Sequence, residues 1–403
     1  MKYLKAIFSI FFLALITSCS NDDGGTTNEE PTEGSNNSNK VFVVGIEAGE
    51  NSVPVLWTNG VQTNLPIAAN TEIDDLKISV QDNDIYIVGM ETNLDNRTSS
   101  IVLWKNGVQS RFSEAANNVR IFQMIVDNGN VYVLGQERLA GGVDKFRYWK
   151  NGVATTIIDE SVTILDDFKR NSVEKMVVFN NDVYCIGTEV NATGTIRTAK
   201  FWKNGVPTSI TDFKNDFDFL SDIQVNGTEV SILYNQLNPT TSKQEVKLWK
   251  NNTVSIIASG ENGFLASEMV IKEGVEHILI KEGISFDGTK LLYLKNRVKT
   301  EITDGTTDVG PSYIRVDGTN VCVAYEVDSE FVFSVKYWLN GTTKTLNEED
   351  ISEIEALFLA GTDVYITSAR GVDPKLWKNG TETTLKTKSP DAAYITNDVF
   401  VTQ

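Results

Sequence analysis

From residue 41 onward, short apolar runs alternate with Asn-Gly-type turns, and the order of apolar and polar positions returns about every 45 residues. In one unit, Ile85-Tyr86-Ile87-Val88-Gly89 is almost wholly apolar, as a strand covered on both faces must be. Ser100-Ile101-Val102-Leu103-Trp104 follows, then an Asn106-Gly107 turn, then Val108-Gln109-Ser110-Arg111-Phe112 with alternating polarity. A longer loop leads to Phe122-Gln123-Met124-Ile125-Val126, and Asn128-Gly129 turns the chain into the next unit. These runs predict four strands, which we name B, C, D and A. The apolar B belongs inside its sheet, the alternating D at a half-wet outer edge, and A innermost. Two-residue Asn-Gly loops form type I′ turns whose twist matches a hairpin, so the C–D and A–B connections are predicted to be tight.

Every tryptophan of the chain stands at a C–D turn. The copies read Trp57-Thr-Asn-Gly, Trp104-Lys-Asn-Gly, Trp149-Lys-Asn-Gly, Trp202-Lys-Asn-Gly, Trp249-Lys-Asn-Asn, Trp338-Leu-Asn-Gly and Trp377-Lys-Asn-Gly, with a weakened eighth at Leu294-Lys-Asn-Arg. A period of about 45 residues is that of a four-stranded propeller blade. The prediction is therefore an all-β chain, a β-propeller of four-stranded antiparallel blades, eight in number. Seven is the alternative, because the chain begins on a B strand (Val41 to Gly45) and reads as ending on an A–B pair turned at Thr396-Asn397, leaving one B strand surplus. These repeats resemble secreted bacterial β-propellers whose blades carry the Trp-Lys-Asn-Gly turn. The Gly-His…Trp-Asp, kelch and Ser-x-Asp-x-Gly-x-Thr-Trp signatures of better-known propellers are missing, so no function is carried over from those families.

The ends of the chain read differently. Lys2 and Lys5 precede an apolar run from Ala6 to Ile16, too short to span a bilayer comfortably, and then Thr17-Ser18-Cys19. Leu15-Ile16-Thr17-Ser18-Cys19 resembles the lipobox of bacterial lipoproteins, which implies diacylation of Cys19 as the mature N-terminus; an ordinary cleaved signal is the alternative. The tract that follows, rich in Gly, Thr, Asn, Glu, Pro and Ser, cannot bury enough apolar surface to fold. As a flexible tether of about 20 residues it reaches roughly 25 Å. Asp22-Asp23 resembles the export tag of surface lipoproteins in some Gram-negative bacteria, with a plain solvated linker as the other reading. The expected organisation is a lipoprotein signal at 1–18, an acylated Cys and acidic tether at 19–39, and one propeller at 40–403. This places the chain as an outer-membrane lipoprotein, exposed on the cell surface if the tag acts.

Losing Lys2 and Lys5 with the signal takes the formal charge from -18 to about -20. A chain this acidic is unsuited to nucleic acid or an anionic membrane surface. The membrane contact expected is the N-terminal lipid alone, and a monomer is expected. Cys185 and Cys322 lie in blades that are not neighbours, so two buried free thiols are expected.

Tight turns occupy one face of such a ring and the variable B–C and D–A loops the other, where binding residues are expected. The tight-turn face carries Lys105, Lys150, Lys203, Lys250, Lys295 and Lys378, and the D–A loops are expected to carry Asp74, Asp75, Asp212, Asp216 and Asp218. Strand B ends in a recurring Gly-x-Glu slot filled by Glu47, Glu91, Glu137, Glu189 and, in register, Glu282; Gln236, Val327 and Arg370 occupy the other copies. Those carboxylates form either a ring facing a ligand or cross-strand ion pairs with the base two residues before the Trp (Arg147, Lys200, Lys247). Asp216-x-Asp218 resembles a fragment of a calcium loop without its glycine and distal Glu, so no cofactor is expected, calcium being the one candidate. The single histidine, His277, falls in the strand-B slot held elsewhere by Tyr86, Tyr132, Tyr184 and Tyr365, and reads as a core residue. With its one histidine read as a core residue, no Ser-His-Asp triad is expected, and one histidine cannot make a His-rich zinc site. Two readings result: a non-enzymatic scaffold that binds a protein or glycan ligand through its loop face, or a carbohydrate-active enzyme using paired carboxylates at the channel mouth.

Overall fold

The computed structural model describes residues 39–49, 52–116, 118–139, 143–159, 171–191, 193–283, 288–329, 332–346, 353–368, 374–385, 387 and 393–402. Cys19 and its tether lie outside the described residues, as does Arg370. Thirty-two strands form eight four-stranded antiparallel sheets, so the ring has eight blades. In blade two, strands A to D are Thr71–Gln81, Asp84–Asn93, Ser99–Lys105 and Val108–Arg111, hydrogen-bonded in that order. Six of the other blades repeat the arrangement with consecutive strands.

Blade one closes the ring and corrects the reading of the C-terminus. Ala393–Val401 is a single strand A, not an A–B hairpin, and it pairs with Val41–Ala48, so no strand is surplus. Thr396-Asn397 is no turn: Thr396 faces Gly45, Asp398 faces Val44, and Asn397 bulges out between them. The same bulge interrupts strand A of blades two to seven, opposite the start of the Gly-x-Glu slot. Two residues against one bend the inner strand there. Opposite the bulge, strand A approaches the slot's glycine closely in blades three and four, while blades five and six carry Tyr234 and Ile280 there. A Cβ on Gly187 would sit 2.0 Å from the Ser172 carbonyl oxygen, and one on Gly135 would sit 2.2 Å from that of Arg120.

The apolar core falls into eight clusters, each built from two consecutive blades. Each holds one residue of the Trp slot. Trp104 packs against Phe42, Val44 and Leu56 of blade one, Trp202 against Tyr132 and Leu134 of blade three, and Leu294 against Leu233 and Leu248 of blade five. The indole is thus a wedge driven from strand C into the preceding blade, and truncating one costs about 3–5 kcal/mol. Cys185 and Cys322 are free and buried, and burial pushes both thiols up.

Candidate functional site

On the tight-turn face each Trp-x-Asn-Gly-type turn is tied to the start of strand B of its own blade. Asn106 takes a left-handed φ of 51°, accepts the Ile85 N–H at Oδ1 (2.8 Å), and donates its own N–H to the Ile85 carbonyl. Asn59, Asn151, Asn204, Asn251, Asn296, Asn340 and Asn379 do the same in the other blades. The lysine beside it is equally committed. Lys105 stands 2.7 Å from Asp84 and over the Tyr86 ring, Lys203 2.7 Å from Asp182 over Tyr184, and Lys378 2.9 Å from Asp363 over Tyr365. The Lys and Asn hydrogen bonds hold these aspartates below the usual carboxylate range. The row of lysines is therefore part of a repeated polar clasp. A cleft of about 480 Å³ opens on this face between blades four and five, beside Phe179, Phe201 and Trp249.

The Gly-x-Glu carboxylates do not meet in a ring. Glu137 pairs with Arg147 and Glu189 with Lys200, and Gln236 accepts from Lys247 at 3.0 Å. Where that base is absent, a glutamine on strand D replaces it: Glu47 accepts from Gln62 and Glu91 from Gln109. These four glutamates brace their own blades. His277 is buried, stacks on Tyr293 and shares a 2.6 Å hydrogen bond with its hydroxyl, as a core residue does.

Three other acids change place. Asp74 and Asp75 lie in strand A at its bulge, and Asp212 lies in strand D (Val206–Phe213), so none is a loop residue. Asp218 does lie in the loop, almost fully buried, and its carboxylate accepts the N–H groups of Lys214, Asn215 and Leu237. That satisfies it without a cation, while Asp216 lines a recess of only about 50 Å³. Among the described residues no cluster of three or more His, Cys, Asp or Glu could hold a metal.

Glu282 is the exception among the slot glutamates. It ends strand B of blade six (Val275–Glu282) and lines a loop-face cleft of about 640 Å³ between blades five and six. The walls come from the B–C loops of both blades and the D–A loops that follow them: Lys243, Gln244, Glu261, Asn262, Glu282 and Lys290, with Gly263, Gly283, Gly288 and Gly305 between. Asn262 donates to Glu282 at 3.1 Å. The glycines let the loops touch; a Cβ on Gly288, whose φ is 118°, would sit 2.0 Å from the Gly305 carbonyl oxygen. A volume of this size is that of a small-molecule site, and the lining is polar throughout.

A second set of charges was not singled out by the sequence reading. Directly after the bulge, strand A carries a polar side chain that accepts a backbone N–H from strand A of the next blade. Asp398 takes Ile78, Gln123 takes Met176, Asp222 takes Met269 and Glu268 takes Ile314, at 2.8–3.1 Å. Lys175, at the same position in blade four, lies 2.8 Å from Asp222 and 3.6 Å from Glu268, and Arg315 lies 3.1 Å from Glu268. Burial drives Asp222 above the carboxylate range despite Lys175. Burial also works against the charge of Glu268, but Arg315 and Lys175 hold it below that range. Asp222 is fully buried and Glu268 half-buried, and through these bonds both join successive blades.

By fold the chain is an eight-bladed β-propeller, and comparisons with known proteins agree. No family model matches the sequence, and no curated protein matches it. Similar solved structures include the β-propeller domain of the Trilobed protease from Pyrococcus furiosus, described as having an open velcro topology, with a TM-score of 0.51 at 12% identity over 81% of this chain and 98% of that one. A prolyl endopeptidase gives 0.50 at 10% identity over 78% of this chain and 49% of its own, so the present chain spans about half of that enzyme. AztD from Citrobacter koseri gives 0.49 at 9% identity over 90% and 99% of the two chains. At such identities the likeness is one of fold alone.

Proposed function

We propose that this chain is a lipid-anchored, non-enzymatic propeller of the bacterial envelope that binds a ligand or a protein through its B–C and D–A loop face. The observation that carries the reading is the cleft of about 640 Å³ between blades five and six, on the face where the repeats differ. The tight-turn side chains, by contrast, are spent on the clasp in blade after blade. Leu15-Ile16-Thr17-Ser18-Cys19 supports the anchor, and Asp22-Asp23 in the acidic tether supports display outside the outer membrane. With the charge of the processed chain near -20, nucleic acid is not a partner, and we take the propeller to work as a monomer. Protease shaving of intact cells tests the location. The propeller is digested while periplasmic markers survive, and Cys19→Ala releases it from the membrane fraction; protection on intact cells would refute surface exposure.

The enzymatic alternative rests on Glu261 and Glu282, two carboxylates lining one cleft. Hydrolysis of chromogenic glycosides that disappears in both Glu261→Gln and Glu282→Gln would establish it.

A further inference from the structure

Five of the eleven exposed large apolar side chains among the described residues occupy one slot: Val61, Val108, Val153, Val206 and Val298, at 57–71% exposure. Each begins strand D directly after the C–D turn of its blade, on the outer rim of the tight-turn face. Blades five, seven and eight place Thr253, Thr342 and Thr381 there. All eight residues are β-branched, as a strand beginning at a tight hairpin favours. Threonine meets that demand as well as valine does, so the blade itself has no need of an apolar side chain at this point. Apolar side chains repeated on one exposed rim mark a surface that meets something other than water.

The neighbours of the valines say what that is. In blades two, three, four and six the residue paired with the valine across the turn is a lysine: Lys105, Lys150, Lys203 and Lys295. Directly opposed residues share a sheet face, so each lysine lies beside a valine. An apolar side chain flanked by a long cationic one suits the boundary between water and lipid. The apolar group enters the boundary and the ammonium stays with the phosphates. The acidity of the whole chain does not oppose this, because Asp84, Asp182, Glu229 and Asp363 on this face are each paired with a lysine at 2.7–2.9 Å.

The point where the chain enters the ring selects the same face. Val41 begins strand B of blade one, where the other blades have an A–B turn. Its N–H donates to Oδ1 of Asn59 in the C–D turn, and the Lys40 N–H donates to Thr402 Oγ1, both at 2.9 Å. Residue 40 therefore meets the propeller on the tight-turn face, in the blade that carries Val61 and at one end of the unbroken run of valines in blades one to four. With Cys19 as the acylated residue, about 20 residues separate the lipid from Lys40, a reach of roughly 25 Å for a flexible chain. A tether of that length holds the face near the bilayer at an effective concentration on the order of millimolar, where weak contacts add up.

We propose that the valine and lysine rim of the tight-turn face rests on the lipid bilayer, with Val61, Val108, Val153 and Val206 at the boundary of headgroups and acyl chains and the adjacent lysines at the phosphates. The loop face then points away from the membrane. The proposal rests on the reading of Cys19 as the lipid anchor, and it gives the anchored propeller a second membrane contact and an orientation.

The test uses the full acylated chain in vesicles of phosphatidylethanolamine and phosphatidylglycerol. Val108→Cys, Val153→Cys and, on the loop face, Phe217→Cys are each labelled with a fluorophore; Cys185 and Cys322 are buried and stay unlabelled. A lipid with a nitroxide on its headgroup is expected to quench the label at positions 108 and 153 and to spare the one at 217. With the label at 153, the triple variant Val61→Thr, Val108→Thr, Val206→Thr is expected to lower the quenching by about threefold or more. Threonine already fills this slot in three blades, and a thermal melt confirms that the variant is folded. Vesicle flotation reports the anchor separately. In chains that float, equal quenching at all three positions, no quenching at 108 and 153, or a triple variant quenched like its parent overturns the proposal and leaves the anchor standing. A wild-type chain that does not float overturns both.

Discussion

At the scale of single residues, the turn asparagine does more than adopt a left-handed φ. Asn106 binds both the N–H and the carbonyl of Ile85, and its Nδ2 donates to Asp84 at 2.8 Å. Replacing it with Ala removes these side-chain bonds and forces a Cβ-bearing apolar residue into αL, so Asn106→Ala is expected to cost about 2 kcal/mol in urea denaturation. Asn106→Gly keeps the backbone conformation and loses only the side-chain bonds, so it should fall between wild type and Ala. Equal stability of all three variants would show that the clasp contributes nothing. The sequence displayed this Asn eight times and suggested only a turn, because its partner sits about 20 residues away across a strand. Gln244 was less legible still. It opens strand C of blade five, and nothing in the sequence separates it from other polar residues at a strand start.

At the scale of elements, the hairpin pairs of blades two, four and eight are each held by an aspartate, a lysine, an asparagine and a tyrosine. Asp84, Asp182 and Asp363 sit below their ordinary values because Lys and Asn bind the charged form. A lowered folded-state value means that the unfolded chain takes up protons first on acidification. The stabilisation is complete above the ordinary carboxylate range, about pH 4, and is lost as the pH falls through the lowered values. The melting temperature should therefore fall from pH 4 to pH 3, and the triple variant Asp84→Asn, Asp182→Asn, Asp363→Asn should show a shallower fall over that interval. An unchanged slope would remove the clasp from the acid response. The Gly-x-Glu slot belongs to the same scale. That it braces the blade is readable from the compensating pairs: Arg147 and Lys200 on strand C in blades three and four, Gln62 and Gln109 on strand D in blades one and two.

At the scale of the whole molecule, two devices close the circle. Strand A of blade one comes from the C-terminus and the other three strands from the N-terminus, so the last residues complete the first sheet. Around the axis, Asp398, Gln123, Asp222 and Glu268 each reach into the following blade, and Lys175 links three blades through two carboxylates. Removing the cation leaves a buried charge without its counterion, so Lys175→Met is expected to destabilise the chain by about 3–5 kcal/mol. Adding Asp222→Asn should recover much of that loss. If the double variant is no more stable than Lys175→Met, Lys175 does not act through Asp222.

The sequence by itself determined the blade. Its strand order, its turns and the Trp at the end of strand C all follow from features that every copy must satisfy, and repetition makes such features visible in one dimension. It also marked Glu282, though as one of five equivalents. Only the tertiary structure decided the rest. It turned Thr396-Asn397 from a hairpin into a bulge, because the first blade lacks an inner strand until the C-terminus arrives. It set polar residues from successive inner strands against one another, and it separated Glu282 from its four counterparts. The cleft at Glu282 and Gln244 exists only where two successive blades meet, among loops about 40 residues apart that share no pattern. A repeat can state what all its copies have in common. What one junction between blades does differently depends on which loops the ring brings together.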